Sequence, residues 1–211
     1  MTTFDTEKNS NQESKNKWFS RRDVIEWGVI LAVGLILYTT GLHTEVLGRL
    51  QQVVLWTGLM QPDTEVALSE QQATSLDVDL ITLDGDPANL SDFKGKVIFL
   101  NYWATWCPPC IAEMPNIQAL YEQFNSNNQI AFAMISMDED PEKAQRFIER
   151  KDFTFPVYHL AGPRPPELRS TLLPTTFVIN KNAQILVKKR GMAHYNTSDF
   201  RSFLDSLITV Q

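Results

Sequence analysis

The sequence from residue 76 onward predicts an α/β domain in which a mixed sheet is flanked by helices. Two almost continuous apolar runs, VIFLNYW at 97–103 and IAFAMIS at 130–136, are typical of strands covered on both faces. Between these runs, apolar residues recur at spacings of three and four, which indicates a helix. The alternation of strands and helices predicts helices on both faces of the sheet.

The N-terminal segment predicts a membrane anchor. Residues 1–22 are rich in Asn, Ser, Lys and Glu and predict a disordered cytoplasmic leader. From Val24 to Leu42 the only charge is Glu26, and about 20 residues at about 1.5 Å each span the ~30 Å hydrocarbon core. A single transmembrane helix is therefore predicted over 23–42. A buried core helix and a cleaved signal peptide are the alternatives.

Basic residues predict the orientation of this anchor in the cytoplasmic membrane. The leader carries several Lys and Arg, whereas Arg49 is the only one between the span and Lys94. The positive-inside rule then places the N-terminus in the cytoplasm and the domain outside, in the periplasm or its equivalent. Within residues 43–75, an amphipathic helix at 46–60 is predicted to lie on the outer surface, followed by a linker. A second crossing at 46–60 would instead leave the domain in the cytoplasm.

The charge balance argues against nucleic acid as a partner. The chain has 25 Asp and Glu against 19 Lys and Arg, which gives a formal net charge of -6. Such a chain repels a phosphate backbone rather than attracting it.

The first elements of the domain follow from local patterns. A strand at about 78–83, an Asp84–Gly85 turn and a return segment are predicted before the first apolar run. A helix is predicted from Cys107 to Phe124, with a kink at Pro115.

The later elements are a helix, a strand, a hairpin and a last helix. Asp140 followed by proline predicts the cap of a helix that runs to about Arg150, after which a short strand is expected. The runs at 175–179 and 184–190 predict an antiparallel hairpin at one edge of the sheet. The C-terminal residues, with apolar side chains three and four apart, predict the final helix.

The chain's only two cysteines, Cys107 and Cys110, form a Cys-Pro-Pro-Cys motif where the first apolar strand gives way to the helix. A zinc site needs further ligands, and the chain has no second cysteine pair and only scattered histidines. A thiol at a helix N-terminus meets free N–H groups that favour the thiolate. The motif therefore predicts a redox-active disulfide, with no metal and no cofactor.

Each residue of the motif has an expected role. Cys107 is expected to attack a client disulfide as the thiolate, and Cys110 to resolve the mixed disulfide. Pro108 and Pro109 have no N–H, so they remove two possible donors from the attacking sulfur and stiffen the turn. We expect a reducing pair, with a potential of roughly -270 mV rather than about -120 mV.

Two longer motifs, FLNYWATWCPPCIAEMP at 99–115 and LPTTFVINKNAQI at 173–185, resemble the membrane-anchored TlpA and ResA type of thiol-disulfide oxidoreductase within the redoxin superfamily. The resemblance covers roughly residues 76–211 and implies a thioredoxin-like fold with an inserted strand and helix, here at 137–160. It also implies an extracytoplasmic reductase of client proteins, often apocytochrome c during cytochrome c biogenesis. A transmembrane thiol carrier would supply the electrons.

The resemblance implies further site residues. Pro174 corresponds to a cis-proline that faces the cysteine pair and leaves the preceding backbone free to bind an extended client strand. Glu113 corresponds to an acidic residue that takes a proton from Cys110 or keeps that thiol protonated. A solvated surface glutamate is the alternative for this position. Contacts with the client are assigned to Trp106, Pro108, Pro109, Leu173 and Thr175.

Asn101 is a departure from thioredoxin, which has a buried Asp six residues before its first Cys. An amide cannot relay a proton, so acid–base chemistry would fall to Glu113 or to water. Of the two nearby tryptophans, Trp103 is expected in the core and Trp106 over the disulfide.

Two other functions stay open at this point. A thiol peroxidase would call for a Thr three residues before its reactive Cys, where this chain has Ala104. A chaperone or haem-handling partner would use the disulfide only as a structural clip. Catalytic turnover of disulfides separates an enzyme from such a clip.

Overall fold

The computed structural model describes residues 21–40 and 72–209. The predicted leader up to residue 20, the amphipathic helix at 46–60 and most of the linker lie outside the described residues. The chain divides into two compact units, residues 1–41 and residues 42–211.

The first unit contains one described helix, α1, from Arg21 to Thr40. Its described apolar side chains are exposed, among them Ile25, Trp27 and Leu31. Across residues 21–40 and 72–209, no helix is both long enough and apolar enough to cross a membrane. The transmembrane span predicted over 23–42 is therefore not confirmed.

The second unit is built on a mixed sheet. In its described part the strand order is β1-β8-β7-β4-β5-β6-β2-β3, with β4, β5 and β6 parallel to one another and the remaining neighbours antiparallel. The strands are β1 (Gln72–Ala73), β2 (Asp79–Thr82), β3 (Pro87–Asn89), β4 (Val97–Trp103), β5 (Ile130–Ser136), β6 (Val157–Leu160), β7 (Thr175–Ile179) and β8 (Gln184–Arg190).

The described part of this unit, residues 72–209, also contains three α-helices and two short 3-10 helices. The α-helices are α2 (Pro108–Phe124), α3 (Pro141–Lys151) and α4 (Ser198–Thr209), and the 3-10 helices span Leu90–Phe93 and Pro166–Leu168. The α/β class and the mixed sheet are confirmed. The inserted helix and strand implied at 137–160 are present as α3 and β6.

The three α-helices described in residues 72–209 lie on one face of the sheet, so within this range the expectation of α-helices on both faces is wrong. Apolar side chains of α2, α3 and α4 form one buried cluster with Val97, Phe99 and Trp103, which point to one side of β4. The connections from β4 to β5 and from β5 to β6 both move the chain in the same direction along the sheet. Right-handed crossovers then place both connecting helices on the same side.

Among the described residues, short segments rather than α-helices cover the opposite face. Ile98, Leu100 and Tyr102 point to this side of β4 and pack in a second buried cluster. Their partners there include Leu90 and Leu168, which belong to the two 3-10 helices. In the part of the chain that the structure describes, the two 3-10 helices therefore contribute apolar side chains to this half of the core.

Both hairpins expected from the sequence are present, but one of them does not lie at the edge of the sheet. The strand predicted at 78–83 is confirmed as β2, which pairs with β3 across the Asp84–Gly85 turn. The hairpin of β7 and β8 is confirmed, but β1 pairs with β8 on its outer side, so this hairpin is not the edge of the sheet. β1 comes from the predicted linker, and two residues are too few to show a strand pattern.

Helix ends follow the local sequence. Asp140 caps α3, its side chain accepting a hydrogen bond from the Glu142 N–H, and Pro141 is the first helical residue, as predicted. Helix α2 begins at Pro108 and contains Pro115, which does not end it, since the helix continues to Phe124. The strand β4 and helix α2 together fix the position of the cysteine motif.

Candidate active site

Cys107 lies at the N-cap of α2, a few residues after the end of β4. Its sulfur is bonded to that of Cys110, with an S–S distance of 2.11 Å and Cα atoms 5.3 Å apart. The predicted disulfide is therefore present. It joins the N-cap of α2 to the first turn of that helix, next to the positive end of the helix dipole.

Backbone donors to the Cys107 sulfur are few. The Cys110 N–H donates to Cys107 Sγ at 3.3 Å. The two intervening residues are prolines without an N–H, and the N–H of Cys107 itself donates to the Ala104 carbonyl at 3.2 Å. The prolines thus occupy the positions predicted for them, and the effect on the redox potential stays a prediction.

The two sulfurs differ in access. Cys107 is 4% exposed and Cys110 is 0% exposed. The adjoining Trp106 is 59% exposed, and Pro108 and Pro109 are half-buried. A client can therefore reach Cys107 more easily than Cys110, which agrees with the predicted order of attack.

The loop that carries Cys107 is held by Asp138, a residue that sequence reasoning missed. The Asp138 carboxylate accepts from the N–H of Thr105 at 3.0 Å, from the Thr105 hydroxyl at 2.6 Å and from the Ser136 hydroxyl at 2.9 Å. Asp138 follows β5, and β5 is parallel to β4. The carboxyl ends of neighbouring parallel strands lie at the same edge of a sheet. An acidic residue just after the second apolar run could therefore have been predicted to lie near the cysteine motif, which follows the first.

The peptide bond between Leu173 and Pro174 is cis, as the resemblance implied. Pro174 is buried, and its carbonyl accepts a hydrogen bond from the Gly191 N–H at 2.9 Å. Thr175 is also buried, and its hydroxyl donates to the Leu172 carbonyl at 2.7 Å. Leu173 packs partly against the buried cluster that contains both cysteines. Client binding by Leu173 and Thr175 stays a prediction.

Glu113 is completely buried on α2, so the alternative of a solvated surface glutamate is wrong. Its Oε1 accepts from Asn101 Nδ2 at 2.8 Å and its Oε2 accepts from the Ala193 N–H at 3.2 Å. Burial raises the pKa of Glu113 from 4.5 to about 8, against the opposing effect of these two hydrogen bonds. Glu113 can therefore exchange a proton near neutral pH.

Asn101 connects Glu113 to two further residues. Its Nδ2 also donates to Thr176 Oγ1 at 2.8 Å, and the Tyr195 hydroxyl donates to the same oxygen at 2.7 Å. All four side chains are buried. Burial and the nearby Glu113 hold the pKa of Tyr195 well above its usual value. Thr176 and Tyr195 were not predicted, because no local pattern links them to a helix far earlier in the chain.

Trp103 lies in the core, as predicted. It is fully buried, and its ring packs on Phe147 of α3 with centroids 5.7 Å apart. Trp103 therefore belongs to the core, whereas Trp106 is the exposed tryptophan beside Cys107.

Comparison with known proteins gives consistent results. The family profile described as Redoxin matches residues 68–204. The chain is 38% identical over 104 residues to the thiol-disulfide oxidoreductase ResA of Oceanobacillus iheyensis, a match that covers 49% of this chain and 54% of that protein. It is 32% identical over 141 residues to ResA of Geobacillus kaustophilus, covering 62% of this chain and 74% of that protein. The chain thus spans about half the length of the first of these relatives.

A solved structure shares the fold. The crystal structure of a thiol:disulfide interchange protein of the thioredoxin family from Chlorobium tepidum superposes with a TM-score of 0.54 at 25% identity. The superposition covers 64% of this chain and 96% of that one. The described sheet and helices are therefore those of a thioredoxin-like fold.

Proposed function

Because the redoxin profile matches residues 68–204, more than half of the chain, the chain belongs to the redoxin family, and we propose that it is a thiol-disulfide oxidoreductase that acts on other proteins. The observation that carries the proposal is the Cys107–Cys110 disulfide at the N-terminus of α2, with Cys107 the more accessible sulfur. The relatives named thiol-disulfide oxidoreductase ResA support it.

In the first step, the reduced Cys107 thiolate attacks one sulfur of a client disulfide. A new bond forms between Cys107 and that sulfur, the client S–S bond breaks, and the client's other sulfur leaves as a thiolate that takes up a proton. The Cys110 N–H, already directed at Cys107 Sγ, stabilises the attacking thiolate. Trp106, exposed beside Cys107, offers an apolar surface for the client.

In the second step, Cys110 attacks the Cys107 sulfur of the mixed disulfide. The intramolecular disulfide forms, and the client departs with both of its sulfurs reduced, having gained two electrons and two protons. Cys110 must lose its proton to attack, and Glu113 lies one turn further along α2. A carboxyl group with a pKa of about 8 is well matched to an ordinary thiol, whose pKa is about 8.5.

The cycle needs a thiol donor to reduce the Cys107–Cys110 disulfide again. We propose a transmembrane thiol carrier as that donor and apocytochrome c as one client, since both follow from the resemblance of the two motifs. A reducing direction is supported by Pro108 and Pro109, which leave the Cys107 thiolate with few backbone donors.

We also propose that the domain acts outside the cytoplasm and is tethered to the membrane by its N-terminal segment. Support comes from two observations. Several basic residues precede the apolar part of this segment, whereas Arg49 is the only Lys or Arg between that part and Lys94, and the described apolar side chains of α1 are exposed. The amphipathic pattern at 46–60 is consistent with a segment that rests on the membrane surface.

Insulin reduction by dithiothreitol tests the proposed activity. The full chain should accelerate precipitation of the reduced insulin chains, and Cys107→Ser should abolish the acceleration. Cys110→Ser, first reduced and then separated from dithiothreitol, should accumulate a mixed disulfide with oxidised insulin through Cys107, visible as a reductant-sensitive adduct. A wild-type chain without turnover, or an adduct formed equally well by Cys107→Ser, would show that the disulfide is a structural clip.

A further inference from the structure

Only one of the two polar atoms in the buried Asn101 amide forms hydrogen bonds. Its Nδ2 donates to both Glu113 Oε1 and Thr176 Oγ1, each at 2.8 Å. Its Oδ1 is buried and has no hydrogen-bond partner. Buried carbonyl oxygens without a donor are rare in folded proteins, and each one calls for an explanation. The same amide contacts the carboxyl group of Glu113.

We propose that Asn101 is a positioning residue whose amide takes one of two orientations according to the protonation of Glu113. When Glu113 is ionised, Nδ2 faces the carboxylate, as in the structure. When Glu113 is protonated, the amide turns over, and Oδ1 accepts a hydrogen bond from the carboxylic O–H. The inference rests on the proposed function, in which Glu113 exchanges a proton with Cys110.

Thr176 allows both orientations. In the structure its Oγ1 accepts from Asn101 Nδ2 and from the Tyr195 hydroxyl. After the amide turns over, the Thr176 hydroxyl donates its own hydrogen to Asn101 Oδ1 and still accepts from Tyr195, because a hydroxyl is both donor and acceptor. In the first orientation Oδ1 of Asn101 has no hydrogen-bond partner, and in the second Nδ2 has none. Since β7 begins directly after Pro174, the amide also links Glu113 to the strand beside the cis-proline.

The groups that contact Glu113 are neutral, so the proposed change in the Asn101 amide depends on the proton of Glu113 itself. β4 and β7 contribute the neutral Asn101 and Thr176, and the segment before α4 contributes the Ala193 N–H and Tyr195. Tyr195 stays neutral where Glu113 titrates, because burial and Glu113 hold its pKa well above the usual value. On α2, the cysteines cannot titrate while they form the disulfide. His194 lies between Ala193 and Tyr195, so in the oxidised protein a pH-driven change at the amide is assigned to Glu113 only if it is lost in Glu113→Gln.

The first test is a nuclear magnetic resonance titration of the oxidised full-length protein from about pH 5 to about pH 10, a range that brackets the titration of buried carboxyl groups. The Asn101 side-chain amide, assigned by triple-resonance experiments, should shift with the same midpoint as the Glu113 carboxyl carbon. In Glu113→Gln the amide signal should not change with pH. A pH-insensitive amide in the wild type, or the same titration in Glu113→Gln, would overturn the proposal.

The second test measures the effect of Asn101 on the titration midpoint of Glu113. In Asn101→Leu both forms of Glu113 lose a hydrogen bond, but the bond to the charged carboxylate is the stronger one, so the Glu113 midpoint should rise by about one pH unit. Tyr195→Phe keeps that donor and should move the midpoint by less than half as much. A midpoint that is unchanged or lower in Asn101→Leu contradicts the proposal. These signals do not depend on turnover, so a chain that fails to reduce insulin but shows the coupled titration would sink the proposed function alone.

Discussion

At the residue scale, two opposing effects act on the proton of Glu113. Burial favours the neutral acid, whereas hydrogen bonds from Asn101 Nδ2 and the Ala193 N–H favour the carboxylate. Burial is the larger effect, and the resulting pKa of about 8 keeps Glu113 mostly protonated at neutral pH. A protonated Glu113 can donate a proton to Cys110, and its ionised form can accept one, so the residue suits both directions of thiol exchange.

The raised pKa predicts how stability depends on pH. An acid with a pKa of 4.5 in the unfolded chain and about 8 in the folded one binds its proton more tightly when folded. Stability should therefore fall as pH rises between these values, by on the order of a few kcal/mol. Urea unfolding of the oxidised protein at about pH 6 and about pH 9 measures the change.

Glu113→Gln should remove most of this dependence, because the amide does not titrate. Glu139→Gln, which alters an exposed carboxylate, serves as the matched control and should behave as the wild type. If the wild type and Glu113→Gln lose equal stability between the two pH values, the carboxyl group of Glu113 is not buried and protonated as described.

The site residues differ in how far sequence could predict them. Cys107 and Cys110 stand out because they are the only cysteines and lie at a strand-to-helix junction. The burial of Glu113 could not be decided, because helical spacing shows which residues share a face but not what covers that face. Tyr195 could not be found at all, since it reaches the site only through the packing of the segment before α4.

At the element scale, the first turn of α2 sets the environment of the attacking sulfur. Position N2 of a helix normally offers an N–H to its N-cap, and here it is occupied by Pro109. Pro109→Ala should supply that donor and stabilise the Cys107 thiolate. A hydrogen bond to a charged group is worth about 1.5–3 kcal/mol, so the reduction potential should become about 30–60 mV less negative.

Equilibration with glutathione or dithiothreitol buffers measures that potential. Pro115→Ala, which changes a proline in the same helix away from the N-cap, is the matched control and should leave the potential unchanged. A potential that stays constant or becomes more negative in Pro109→Ala would show that the prolines do not limit thiolate stabilisation. A wild-type value near -120 mV would contradict the expected reducing character.

The loop between β4 and α2 depends on an element that is distant in sequence. Asp138 holds Thr105 by its N–H and its hydroxyl, so Asp138→Asn replaces one accepting oxygen with a donor and breaks at least one of these bonds. Exchange of the Thr105 amide hydrogen should become faster, and the unfolding free energy should fall by about 1–3 kcal/mol. Hydrogen exchange followed by nuclear magnetic resonance checks the first expectation, with Glu139→Gln as the control. Unchanged Thr105 exchange in Asp138→Asn would mean that the carboxylate does not restrain the loop.

At the scale of the whole molecule, the order of the strands determines which face of the sheet each helix covers, and local sequence patterns do not show that order. The apolar runs identified β4 and β5, and apolar spacing identified α2 and α4. Which face each helix covers follows from strand order, and strand order is set by long-range pairing that leaves no local signal. The same limit explains why β1 was missed, because it exists only through its pairing with β8. The α-helices described between residues 72 and 209 share one face, and the cysteine pair belongs to the buried cluster that they form with the sheet.

The location of the domain can be tested with its own thiols, since Cys107 and Cys110 are the only cysteines in the chain. If the domain lies outside the cytoplasm, intact cells treated with a membrane-impermeant phosphine and then a membrane-impermeant maleimide should show labelled protein. Cys107→Ser should lose nearly all of that label, because Cys110 is fully buried. Permeabilised cells give the total amount of reactive thiol. A label that forms only after permeabilisation would place the domain in the cytoplasm, as a second crossing at 46–60 requires, and would contradict the proposed location without affecting the proposed chemistry.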